Sequence, residues 1–541
     1  MYLKNSLILI NEFFYSSKSQ IRNLYLKSSF YNNKISKIEI SNITYRPTLS
    51  ILSCLVKYDK KKIKIEELDE DNIWENELLS SNNFYKLNNF YWLFSIDLKS
   101  SANITQSIIT KWIEKNQNYN SLTWQIDVLS KRIISWIANS KLSYDESDTK
   151  YKDKFNFSVN KQINHLINEI SKSQSVNDKL LGCTATIIAG LSYGNEKFLN
   201  YGLELLRKII INSFDGEYFP KTRSIRQLNF YLKYFVLVRE LLKESFNDIP
   251  EYLDEIIFYL GKSYSVFSKL EQSLLFNGNH QGDLKEFNKY LALYKYKFEN
   301  SNKEVGGYAI LKNKNCILAM DVGNSPQKTF SNNYQSGALS FEFFYKDKKL
   351  ISNSGYFQDY KNKLNLISKS TAAHSTLIID NHSSCSFRIN GKYKTLENGL
   401  KISDKNIVNE KNYWLIKASH NGFLKKFGIL HERSLEYFVA KNKLIGTDKI
   451  IPKNKLEAKK YDIRFHMEPG VKLTKTLDNK TILIEIENSG WKFSTNCEII
   501  SIESGIYFGN KNLTNENQNI CLSGKIEDIT QEIKWVFEKI Q

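Results

Sequence analysis

Residues 331–379 read SNNYQSGALSFEFFYKDKKLISNSGYFQDYKNKLNLISKSTAAHSTLII, and the reading of this stretch decides the fold. Two apolar runs, ALSFEFFY and KLISNSGYF, flank the polar turn Lys346-Asp347-Lys348. Apolar side chains alternate on each side of it, which predicts a β-hairpin. Past Gly355 a polar excursion leads to KSTAAHSTLIID, where His374 stands among small residues at the entry to another strand. Small residues around one imidazole leave room for something to approach it.

Downstream the period of two persists. YWLIKASH, KKFGILHERSLEYFVA, KLIGTDKII, KYDIRFHMEP, TILIEIENSGWKFS and EIISIESGIYFG follow with turn signals between them, which argues a large antiparallel sandwich. The closing IEDITQEIKWVFEKI reads as a last strand or a short helix. Upstream the pattern is helical. From Phe84, segments such as NNFYWLFSIDLKS, TWQIDVLSKRIISWIANS, NDKLLGCTATIIAGLSYG and PEYLDEIIFYLGKSYSVFSKL carry apolar residues at i, i+3, i+4 and i+7. About eight such helices joined by short loops predict an all-α array, and no fixed repeat marks it as a regular solenoid. The expected division is a mixed segment over 1–84 packed on the helices, a helical domain over 85–303, and an antiparallel β domain over 304–541. Within the first segment, a short helix is expected near Gln20–Tyr31 and an extended entry over residues 40–69.

The composition bounds the function. A chain of 541 residues, 41% hydrophobic and 13% aromatic, is rich enough for large cores and excludes a disordered protein. The net charge of +18 is spread along a Lys- and Asn-rich chain. It reads either as a bias of composition or as attraction to a polyanionic partner. No basic arm, zinc-finger spacing or stacking motif points to nucleic acid, so an acidic glycan fits better. The six cysteines are scattered without a CxxC and read as buried thiols. The amino terminus, MYLKNSLILINEFFY, is a poor signal peptide, and no apolar run is long enough for a membrane span. A cytoplasmic location is expected.

Several motifs together resemble the heparinase II/III-like family of polysaccharide lyases, whose fold joins an α/α toroid to an antiparallel β-sandwich. Trp112 to Ile137 is similar to that family's Trp-spaced helix pair, and Phe214 to Leu242 to its Asp-Gly loop and following helix. GALSFEFFYKDKKLISNSG and KSTAAHSTLIIDN are similar to its central strand pair and Ala-Ala-His turn. SFRINGKY, LHERSLEYF and RFHMEPGV match lesser signatures. The resemblance implies a toroid-like helical domain followed by a sandwich, and β-elimination on a uronic-acid polysaccharide. A periplasmic location would be typical of that family.

Such chemistry neutralises the substrate carboxylate, takes the C5 proton and protonates O4. The resemblance implies an Asn neutraliser, a Tyr after the Asp-Gly loop, a His before the ALSF-like strand, and a metal held by an Asp before Ser-Gly together with the His of the Ala-Ala-His turn. Carried onto this chain, these positions fall on Asp178 (with Asn177 one residue away), Ile225, Gln335 and Asn353, and the acidic position two beyond Gln335 falls on Gly337. Only His374 keeps the expected residue. The catalytic candidates are therefore His374, Tyr334, Gln335 and Asp178. The candidates for holding substrate are Arg223, Arg226, Tyr218, Trp124, Arg132 and Arg388. No cofactor is expected; the resemblance leaves a divalent metal in the β-sandwich open, with Asn353 where its Asp would stand. Two functions stay open: a lyase with a rearranged acid/base set, and a degenerate member that binds acidic polysaccharide in surface-glycan assembly. A glycoside hydrolase, with acids drawn from Asp178, Asp215 and Glu217, is a more distant third.

Overall fold

The computed structural model describes residues 20–540 except 40, 56–72, 75–80, 98, 100, 271, 283, 391–392, 454–459, 478–479, 488 and 511–512. The segment read as a poor signal peptide and half of the extended entry lie outside the described residues; the described half, 41–55, is not all extended, since it turns through the short helix Leu49–Leu52. The chain forms two compact units. The first is Met1–Asn212 with Lys233–Ile257, and the second is Ser213–Leu232 with Phe258–Gln541. Helix gives way to strand at Glu304–Val305, whereas compactness assigns the Asp-Gly loop and residues 258–303 to the β unit.

The helices start and stop where local chemistry dictates. Ser101, Asp148 and Ser175 each accept a hydrogen bond from the backbone N–H three residues on, opening Ala102–Asn116, Thr149–Glu169 and Val176–Tyr193. Gly194, at φ +61°, closes the last of these. Close packing rests on small residues: a Cβ on Gly182 would lie 2.2 Å from Ile170 Cδ1, and one on Gly190 2.5 Å from the Leu199 backbone. NNFYWLFSIDLKS is a correction to the helical reading. The helix Ser81–Asn88 ends there, Phe90 turns left-handed at φ +58°, and a short 3-10 helix covers Tyr91–Ser95. Among the described residues no helix is long and apolar enough to cross a membrane.

In the second unit, the hairpin forms as the alternation predicts. Phe341–Tyr345 pairs with Lys348–Ser352, and Lys346 and Asp347 both sit left-handed at φ 47° and 63°, the twist a two-residue hairpin needs. It lies mid-way in a nine-stranded antiparallel sheet. A second sheet has eight strands and includes Gln531–Lys539, so the closing segment is a strand. The inward faces of the two sheets share one apolar core. Phe341 and Phe465 of the first meet Trp535 of the second at 5.3 and 4.8 Å between ring centroids.

Candidate functional site

The Asp-Gly loop is tied by its own aspartate. Asp215 Oδ1 accepts the N–H groups of Glu217 and Phe219 at 3.0 and 2.9 Å, which forces Tyr218 to φ +60°. Arg223, also left-handed, turns its guanidinium into the β unit. It donates to the carbonyls of Gly306, Gly307, Gly323 and Asn324 at 3.0–3.2 Å and to Asp321 Oδ1 at 2.6 Å. Burial works against that charge and Asp321 more than offsets it, so the pKa is raised. Gly307 and Gly323 are required here: a Cβ on Gly323 would stand 2.3 Å from the guanidinium. Arg223 is therefore a buried brace rather than a surface anchor. Ile225, at the tyrosine position, is buried. Arg226 beside it is half-buried, and it makes no hydrogen bond or ion pair among the described residues. Burial lowers its pKa.

Gln335 is also a brace. Its Oε1 accepts the Gly278 N–H at 2.9 Å, and its Nε2 donates to the carbonyls of Gly355 and Ser368 at 2.9 and 2.6 Å. All three amide contacts are to backbone, and the side chain is fully buried. Gln335→Leu would leave one N–H and two carbonyls unpaired inside the protein. It should cost at least about 2 kcal/mol, read by urea denaturation. A loss under about 0.5 kcal/mol would contradict this. Tyr334 is likewise buried, next to Cys385, and burial raises its pKa.

His374 sits at the end of a one-turn 3-10 helix, with Nδ1 donating to the Ser370 carbonyl at 2.8 Å. That leaves Nε2 as a bare acceptor, buried and without a hydrogen-bond partner. The ring fills the space that a side chain at 337 would take: a Cβ there would lie 2.5 Å from His374 Cδ2. Gly337 and the inward histidine therefore go together. Burial lowers the pKa of His374 to about 4, so it is neutral at pH 7.

Asn353 does not suit a metal. Its Nδ2 donates to Glu342 Oε1 at 3.2 Å and its Oδ1 accepts the Ser375 N–H at 2.9 Å. His374 is turned to Ser370, and Glu342 is ion-paired at 2.9 Å with fully buried Lys349, whose Nζ also reaches the Ser273 carbonyl. Among the described residues, no group of three or more His, Cys, Asp or Glu side chains is placed to hold a metal ion. The lysine ammonium occupies the acidic corner in which a cation would be expected.

In the helical unit, Asp178 is half-buried in the first turn of Val176–Tyr193, its N–H capped by Ser175. Trp124 and Arg132 are buried. Trp124 donates to the Asn116 carbonyl, and Arg132 bonds Gln162 and the carbonyls of Asn88 and Thr123 while lying over Trp112 at 4.0 Å. Neither faces solvent, so both serve the helix packing. Tyr218 and Arg388 are half-buried in the β unit, Arg388 on the two-stranded ribbon Ser386–Asn390 with Tyr393–Asn398. The sequence reading missed Lys349 with Glu342, and also Lys369. Lys369 is fully buried and donates to the carbonyls of Asn332, Tyr334 and Lys394 at 2.5–3.2 Å. A carboxylate and an ammonium on the two arms of one hairpin, on the face turned away from Phe341 and Phe343, were a usable signal for the first pair. Nothing in sequence marks the three carbonyls around Lys369.

Residues 300–536 match the family described as heparinase II/III-like, C-terminal. That part of the chain is heparinase II/III-like in sequence. Solved structures extend the likeness over both halves. The heparan sulfate lyase HepC of Pedobacter heparinus is 13% identical with a TM-score of 0.61, over 95% of this chain and 87% of that one. Two heparinase III structures have TM-scores of 0.67 and 0.66 at 12% and 15% identity. They cover 91% and 85% of this chain and 88% and 76% of theirs. No curated protein sequence matches the chain. At such identities the whole chain shares an architecture with these structures: helices followed by antiparallel sheets.

Proposed function

We propose that this protein, heparinase II/III-like over residues 300–536, binds an acidic polysaccharide and does not cleave it, acting in the assembly of a surface glycan. The observation that carries the reading is the state of Ile225 and Gln335. One is a buried hydrocarbon and the other an amide committed to three backbone groups. Neither can take the C5 proton or protonate O4, and β-elimination needs both transfers. Binding does not need them. Arg226 and Arg388 each present a guanidinium with no ion pair among the described residues. The planar fork matches a carboxylate, and the net charge of +18 favours approach of a polyanion.

Arg226→Ala should weaken binding of a polyuronate about tenfold, by calorimetric titration at low salt. The ultraviolet absorbance of an unsaturated uronate product should stay flat across a panel of uronic glycans. Appearance of that absorbance would sink the binding-only reading in favour of a rearranged lyase. One observation supports that second reading: the bare Nε2 of neutral His374 has a base's protonation state. In that case His374→Ala would abolish the product.

A further inference from the structure

The Asp-Gly loop also lines a cleft of about 520 Å³ that involves neither Gln335 nor His374. Tyr259, Lys262 and Ser263, which share one face of the helix Glu251–Ser268 at i, i+3 and i+4, continue its lining beside the loop, together with Asn300 and Asn302. Two features mark this cleft as more than a surface dent. Tyr218 is held in the left-handed region, where a glycine or asparagine would sit without strain. The bulky residue kept there lays its ring flat on Tyr259, at 4.4 Å and 3° between planes. Tyr259 is 38% exposed and its neighbour Phe258 53%, so this aromatic platform faces water.

The chemistry around the platform is that of a sugar site. The C–H face of a pyranose packs on a flat aromatic ring, and the amides of Asn300 and Asn302 and the Glu217 carboxylate suit hydroxyl groups. Lys405 is taken by Glu304 at 2.7 Å, whereas Lys262 makes no ion pair among the described residues and lies over the Phe258 ring at 5.2 Å. We propose that the cleft is a second saccharide site. It takes one uronate unit of an acidic oligosaccharide, the ring stacked on the Tyr218–Tyr259 pair and the carboxylate at Lys262. This goes beyond the binding at Arg226 and holds whether or not the protein cleaves its ligand.

The test is a titration of wild type, Tyr259→Ala, Tyr259→Phe and Arg226→Ala with a hyaluronan-derived tetrasaccharide, read by oxidative footprinting of tyrosines. Saturating ligand should protect Tyr218 and Tyr259. Tyr259→Ala should weaken protection of Tyr218 by at least about fivefold in affinity, while Tyr259→Phe should stay within about twofold. In Arg226→Ala, protection of both tyrosines should persist even where binding elsewhere is lost. Protection absent at saturation, no binding of the tetrasaccharide, equal affinity in Tyr259→Ala, or loss of tyrosine protection in Arg226→Ala would each overturn a separate second site. A thermal scan of each variant establishes that it is folded, and the footprint on wild type stands without any variant.

Discussion

Acidification from about pH 6.5 to about pH 4 is expected to strip stability steeply from both units, measured as urea midpoints across a pH series. The cause is a set of histidines buried in the neutral form. His165 pairs its Nδ1 with Tyr31 at 2.9 Å among the rings of Tyr119 and Trp124, and burial lowers its pKa to about 4. His374 stands at about 4 and His466, between the Ala372 carbonyl and Ser354 Oγ, at about 3, again through burial first. His420 and His431 are shifted the same way.

In the unfolded chain these imidazoles protonate near 6.5, so over this window the unfolded state holds more protons and stability rises with pH. By pH 5 each of His165, His374 and His466 should withdraw about 2 kcal/mol, against a total of about 5–15 kcal/mol for a domain. His466→Gln should flatten the slope of the β unit. An unfolding midpoint unchanged between pH 7.5 and pH 5 would remove the argument.

Asp448→Asn is expected to cost the β unit about 3–5 kcal/mol. Asp448 is fully buried and receives four donors: Arg433 Nε and Nη2 at 2.8 and 3.0 Å, His431 Nε2 at 2.7 Å and Trp535 Nε1 at 2.8 Å. Burial alone would raise its pKa. Arg433, then His431, overcome this and hold it well below the usual carboxylate range. With an amide in its place, Arg433 keeps its charge and loses its counter-ion in a site closed to water. The same guanidinium donates to the carbonyls of Leu339 and Ser375, so the turn that carries His374 should loosen with it. Urea denaturation measures the loss, and faster exchange of the amides over residues 374–376 would report the loosening. Replacing both partners, as Arg433→Met with Asp448→Leu, should recover much of the stability, because no charge is then left unpaired. A single-variant loss below about 1 kcal/mol would contradict the account.

These two expectations rest on residues that periodicity treats poorly. Alternation around Lys346-Asp347 was enough to place the hairpin, and the switch of period near residue 304 was enough to separate helix from strand. Both signals are local, set by side chains a few positions apart. The site was legible only as far as residue types at matched positions. That Ile225, Gln335 and Asn353 stand where other residues were implied could be read directly. What these side chains do could not, because Gln335 is held by backbone groups at 278, 355 and 368 that no residue type announces. Buried charge was hidden for a related reason. Arg132, Lys349, Lys369 and Arg433 each read as solvent-facing by type, and Arg433 meets Leu339 across 94 positions of sequence. Phe90 escaped because nothing in its residue type forecasts a left-handed backbone.

The carbonyl cage around Arg223 has a consequence for how the chain is made and how it can be cut. Its acceptors lie 83 to 101 residues further along, so on the ribosome the guanidinium waits roughly 5 to 20 s for them to be synthesised. A fragment beginning at residue 304 would contain every strand among the described residues. It would also strand Asp321, 1% exposed, without the arginine that neutralises it. Dissection at the change from helix to strand should therefore yield an insoluble product, and a soluble β unit requires residues 213–232 to be supplied with it.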